Sequence, residues 1–258
     1  MRELKANRKG MIIWNVIMVL FVVSGMSKYT AYSAGGADIF NKMPDTLKAL
    51  LGIGPFDGTK MPGFYAFLFS YIVIVAAIHA VLLGNGIIAK EERDKTTEFL
   101  MIKPVSRTAV ITAKLLAALT NILVLNIVTL LSSVSIVAAY KAAEDITGEI
   151  LVFMLSMFLV QLIFLSFGGL MASIIRRPKA SGSLATGILF LGYVIAKVTD
   201  MTDRLDALNI LSPFKYFDTA AIVNGDGLNP VIVLLSIALT AVFVIGTYFY
   251  YRRRDLNI

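Results

Sequence analysis

Few side chains in this sequence can do chemistry, and they do not converge on a reaction. There is no cysteine and only one histidine, His79. Disulfides, thiolate metal sites, cysteine nucleophiles and zinc sites needing two or more histidines are therefore excluded. No His-Glu-x-x-His motif occurs, and no aspartate lies inside an apolar run. Ser27 and His79 are only superficially a nucleophile and its base. Ser27 falls at the outer end of one apolar run and His79 well down another. A phosphate-binding loop is missing too: the nearest run, Gly54-Pro55-Phe56-Asp57-Gly58-Thr59-Lys60, lacks the closing Gly-Lys-Ser/Thr. These residue types predict no catalytic, cofactor or metal site, and no nucleotide bound by the chain itself. His79 keeps two readings, a neutral histidine bonding to a neighbouring helix or a proton carrier.

The elements that must position everything else are long and apolar. Of the 258 residues 57% are hydrophobic, with a mean hydropathy of +0.78. Soluble domains are nearer 45–50% apolar and spread those residues by period. Here they gather in blocks of about twenty, enough to cross a hydrocarbon core of ~30 Å. Six spans are expected, at 11–33, 64–89, 115–140, 150–175, 182–196 and 230–251, within a single transmembrane domain. The first is read as an uncleaved helix, because its apolar run is longer than a signal peptide needs. Lys28 and Lys197 lie at span ends, where long cationic stems reach the interface.

The net charge of +7 suggests nucleic acid until the charges are laid on this topology. Segments 1–10, 90–114, 176–181 and 252–258 hold sixteen of the 24 basic residues. The opposite side holds eleven of the 17 acids. That asymmetry predicts both termini in the cytoplasm, a bilayer as surroundings and no nucleic-acid partner. Two short helices are expected on the outer side, over 44–51 and over 212–218, the second with Ser212 as N-cap and Pro213 at its first position. They read either as interfacial anchors or as a lid.

Within the spans the polar side chains are uncharged. Asn126, Thr129 and Ser133 share one face of the third span, and Gln161 lies in the fourth. Ser183 and Gly187 form a small-xxx-small pair in the fifth. These residues read as helix-packing contacts or as a pathway lining. Charge at mid-membrane costs about 2.5–3.5 kcal/mol, so ion-coupled carriers retain it only where it works. Its absence argues against such a carrier.

The inner loop over 90–114 is the informative segment. Thr97 reads as an N-cap, and Glu98 sets a negative charge at the positive end of a short helix. Phe99, Leu100, Met101 and Ile102 make that helix apolar, Pro104 stops it, and Ser106 can cap the next helix. An apolar helix on a charged loop needs burial against the membrane surface or a protein cleft.

The pattern E-E-x(4)-T-x-E-x-L-x(3)-P-x-S-R-x(6)-K resembles that of the permease subunits of ABC-2-type ATP-binding-cassette transporters. Glu91, Glu92, Thr97, Glu98, Leu100, Pro104, Ser106, Arg107 and Lys114 carry it. Leu211-Ser212-Pro213-Phe214 with Tyr216-Phe217-Asp218 before the last span, and Tyr251-Arg252-Arg253-Arg254-Asp255-Leu256 at the end, agree with the same family. The resemblance runs the whole length. It departs at Lys95, where many members carry glycine. It implies an all-α, six-span, type V exporter-like fold with short outer helices between spans 1–2 and 5–6. It also implies a non-catalytic permease in a bacterial or archaeal plasma membrane, paired with a second, identical or homologous permease. Its coupling loop, with Phe99 beside the residues named, would seat in an ABC ATPase, two copies of which bind ATP and Mg. An amphipathic peptide or lipophilic toxin suits the uncharged interior as cargo. A membrane sensor or immunity component on the same fold, or an ion-coupled carrier, is the alternative.

Overall fold

Every long apolar block forms a helix, because a segment that cannot hydrogen-bond to solvent must satisfy its backbone internally. The computed structural model describes residues 2–33, 42–51, 57–94, 106–140 and 145–253. Helix α1 covers Arg2–Met26, followed by a helical turn at Tyr29–Ala31; α2 is Asp45–Leu51, α3 Met61–Ile88 and α4 Lys90–Arg93. Then come α5 at Arg107–Ala139, α6 at Thr147–Ile174, α7 at Pro178–Asp200, α8 at Thr219–Val223 and α9 at Pro230–Arg253. Two 3-10 segments, Asp203–Leu211 and Pro213–Lys215, link α7 to α8. No strand occurs among the described residues. Helices α1, α3, α5, α6, α7 and α9 are long and apolar enough to cross a membrane.

Helix α6 is the hub. It packs most extensively on α3, then on α9, and also meets α5 and α7, while α1 lies along α5. Helix α9 and most of α1 turn large apolar side chains outward, among them Val231, Leu234, Ile245, Ile13 and Leu20. That distribution suits lipid, which rewards apolar surface as a core does.

Two glycines set the α3–α6 approach. A Cβ at Gly84 would collide with the backbone carbonyl of Leu165, and one at Gly168 with that of Val81. The contact is reciprocal, and backbone cannot swing aside as a side chain can. Gly84→Val is therefore expected to destabilise the fold by about 3 kcal/mol, the upper part of the usual overpacking range. Thermal unfolding of the purified variant in detergent checks it; unchanged stability would contradict this packing.

The entries to α3 and α6 share one device. Asp57 Oδ1 accepts from the Thr59 amide at 2.9 Å and its hydroxyl at 2.6 Å, and Asp145 holds Thr147 likewise at 3.0 and 2.6 Å. Hydrogen bonds from the Thr59 hydroxyl and then its amide hold the Asp57 carboxyl below the usual carboxylate range.

Two local expectations are corrected. Residues 212–218 do not form one helix: only Pro213–Lys215 is a 3-10 turn, and Thr219–Val223 follows. Ser212 holds the N-cap position of that turn with Pro213 first, as expected, but its side chain makes no capping bond. It is fully buried, and its hydroxyl donates to the Gly192 carbonyl of α7 at 2.8 Å. A buried hydroxyl takes the acceptor within reach, and one 3-10 turn has few amides to compete for it. The capping role passes to Asp218, whose Oδ1 accepts from Ala220 N–H at 2.8 Å. The small-xxx-small expectation also moves round the helix. Ser183 and Gly187 are exposed, whereas Ser181, Ala185 and Leu189 form the buried stripe of α7.

Candidate functional site

The charged connection between α3 and α5 is held at its base by a buried ion pair. Helix α3 ends at Ile88, Ala89 breaks it, and α4 carries Glu91 and Glu92 onward. Across from them Ser106 begins α5, its hydroxyl accepting from the Ala109 amide at 3.2 Å, the cap expected from the sequence. Two turns into α5, Lys114 turns inward and is 1% exposed. Its ammonium pairs with Glu91 Oε2 and donates to the Ile88 carbonyl at 3.3 Å. Such a pair persists in low dielectric only when both charges find partners. Here it joins the two ends of a loop whose middle, 95–105, lies outside the described residues. Thr97, Glu98, Phe99, Leu100 and Pro104 fall there.

The remaining motif residues lie around this clamp. Glu92 is partly exposed, and Arg93 forms an exposed ion pair with Asp94 at 3.1 Å. Arg107 Nη1 donates to the Arg252 carbonyl at the end of α9 at 3.2 Å. Thr112 and Tyr248 hydroxyls meet at 2.7 Å, and Tyr251 is buried in the core between these helices. The described ends of the loop motif and the terminal Tyr251-Arg252-Arg253 motif, 145 residues apart at Arg107 and Arg252, thus occupy one face of the bundle. Leu4 packs into the core cluster that contains Tyr251, so the start of α1 belongs to that face too.

The mid-span candidates separate into two groups. Asn126 Nδ2 donates to Gln161 Oε1, and Gln161 Nε2 to the Ala76 carbonyl at 3.4 Å, so α5, α6 and α3 meet through amides. Ser133 accepts from the Tyr65 hydroxyl at 2.8 Å, nearer the opposite face. Thr129 bonds to the Leu125 carbonyl within α5. All four are buried. His79 differs from expectation: its Nδ1 is buried with no hydrogen-bond partner, and its ring packs against Trp14 of α1 at 5.1 Å. The pairing with Ser27 also dissolves, since the Ser27 hydroxyl donates to the Ser24 carbonyl at 2.8 Å.

Three buried or paired contacts have no mark in the sequence. Lys114 closed the loop motif, but nothing in one dimension assigned it to Glu91. Asn85, beside Gly84, donates to the Ser181 hydroxyl at 3.0 Å and joins α3 to α7 below the amide layer. Asp200 receives Lys197 at 3.1 Å and Lys215 at 2.6 Å. No group of three or more metal-ligating side chains forms among the described residues.

Chemically, the arrangement offers no reacting group. It offers an ion-paired base where α4 meets α5, connected through α3 and α5 to the buried amide contacts of Asn126 and Gln161. The family model described as ABC-2 family transporter protein matches residues 2–256. No curated protein matches the chain.

Proposed function

This chain belongs to the ABC-2 family of transporter proteins, and from that premise we propose that it lines the pathway of an ATP-driven exporter as one of a pair of permeases. It is a multi-pass membrane permease without catalytic function of its own. A separate ABC ATPase, present twice in the assembly, hydrolyses ATP with Mg and drives the pair between inward- and outward-facing states. The loop over 90–114 is where that ATPase docks. Both termini lie in the cytoplasm, the membrane is the plasma membrane of a bacterium or archaeon, and the cargo is an amphipathic peptide or lipophilic toxin.

The observation that carries this reading is the Lys114–Glu91 pair. A loop pinned at both ends to two long helices transmits a push to those helices; a loop free at its base would absorb it. Breaking of buried ion pairs is costly, so the base keeps its geometry while force is applied. The amide contact of Asn126 with Gln161 gives that push a route into the interior.

The test is purification of the chain alone and with its ATPase. The isolated chain is expected to hydrolyse no ATP, and to change the turnover of the ATPase when the two are reconstituted. An ATPase whose rate and cargo response are identical with and without the chain would overturn the proposal.

A further inference from the structure

A cavity of about 450 Å³ lies between α3, α6, α7 and the segment that leads to α8. It is on the face opposite the termini, which the basic-residue distribution sets outside the cell. Its volume is within the ~300–1,000 Å³ of small-molecule sites. Toward mid-membrane its wall has Phe69 and Val73 of α3 and Val160 of α6, with Ser70 and Ser156, whose hydroxyls donate to the Ala66 and Phe153 carbonyls at 3.2 and 2.8 Å. Phe214 and Phe217 close it from the linking segment, and the Phe214 ring stands edge-on to Tyr193 at 5.8 Å.

The other end is polar, and its lining carries two lysines and two aspartates. Asp200 Oδ2 accepts from Lys197 at 3.1 Å and Oδ1 from Lys215 at 2.6 Å, so one carboxylate is shared by two ammonium groups. Each ammonium carries three donors and spends one on Asp200. The second acid of the lining, Asp218, commits Oδ1 to the Ala220 amide. Asn209 also belongs to the lining, its Nδ2 bonded to Asp206 at 3.2 Å. The spare ammonium donors suit an anionic group.

We infer that this cavity binds an amphiphile with an anionic head group, the head between Lys197 and Lys215 and the first methylenes against Phe69, Val73 and Val160. The polar end lies at the outer end of α7 and the apolar end toward the hydrocarbon. That is the orientation an amphiphile already has in the outer leaflet. The inference rests on the permease reading only for the origin of the ligand, an anionic lipid of the bilayer or the exported molecule itself. Both share the head-group chemistry.

The experiment uses the full chain, without ATPase, in phosphatidylcholine nanodiscs. Dodecyl phosphate and dodecyltrimethylammonium, with the same tail and opposite heads, are titrated against the wild type and variants by calorimetry. Dodecyl phosphate should bind the wild type at least about tenfold more tightly than the cation. Lys197→Gln with Lys215→Gln should remove that preference. Asp200→Asn, which frees both ammonium groups, should tighten dodecyl phosphate several-fold. Equal affinity for the two heads, or weaker binding by Asp200→Asn, overturns the inference. So does an unchanged preference in the lysine variant, whose thermal unfolding serves as the folding control. A second arm adds phosphatidylglycerol to the discs: competition with dodecyl phosphate assigns the site to bilayer lipid, and its absence assigns it to cargo. Because no ATP is involved, a failure of the transport reading leaves this result standing, and the reverse.

Discussion

Lys114→Met should cost the protein about 3–5 kcal/mol of stability, the largest single effect expected on the terminal face. The methionine fills much of the same space, so packing is nearly preserved and the loss is electrostatic. Glu91, 7% exposed, would keep a buried carboxylate without its ammonium, and the Ile88 carbonyl would lose a donor. Leaving a buried charge uncompensated is far worse than removing both charges. The double variant Glu91→Gln with Lys114→Met should therefore recover most of the lost stability. Thermal unfolding of the four proteins in detergent gives the coupling energy directly. A single variant as stable as the wild type would show that the pair is not a structural clamp. The double variant should still respond poorly to its ATPase, because a neutral pair holds the loop base less rigidly. Stability and coupling then separate.

Phe99→Asp and Leu100→Asp should leave expression and insertion unchanged and cut ATPase association about thirtyfold or more. Apolar anchors buried in a partner can each carry about 2 kcal/mol or more, and a charge in such a pocket meets no compensation. Both residues lie outside the apolar spans, so insertion of the spans does not depend on them. Glu98→Lys should be milder, removing about 0.3–1 kcal/mol of favourable charge at a helix start. Lys48 on α2, near the opposite face, should be neutral to association. Co-purification of the ATPase at several salt concentrations reads all four. Full association and transport by the aspartate variants would make this loop a surface anchor and remove the coupling assignment.

The two predictions draw on different sources. The second depends on residues whose types alone argue for docking. Glu91 and Lys114 are 23 apart in the chain, and nothing in their spacing announces an ion pair. Both stood in the same motif, which pointed to the region; the fold supplied the reason. Likewise the motifs at Arg107 and Arg252 were legible one at a time, and only helix packing brought them to one face.

Local and summed properties were determined by the sequence itself. Six blocks of about twenty apolar residues become helices whatever their neighbours, since a bilayer leaves no other partner for backbone groups. The Ser106 cap and the short helix at Asp45–Leu51 followed from neighbouring residues in the same way. Rotation and partner choice were left to the tertiary structure. Along a helix, one residue of offset turns a side chain by about 100°. Small residues recur on more than one face of α7, at Ser181, Gly182, Ser183, Ala185 and Gly187, and their types do not say which face is buried. Ser183 and Gly187 were therefore as good a packing pair on paper as Ser181 and Ala185, until α3 and α6 buried the latter. Ser212 had the chemistry of a cap, and proximity to Gly192 gave it another acceptor. His79 was expected to find a neighbour, yet Trp14 covers its ring and its Nδ1 stays unbonded. Hydropathy is a sum along one dimension and survives translation into structure; a contact needs two helices to agree on distance, depth and rotation, and only the packed bundle sets all three.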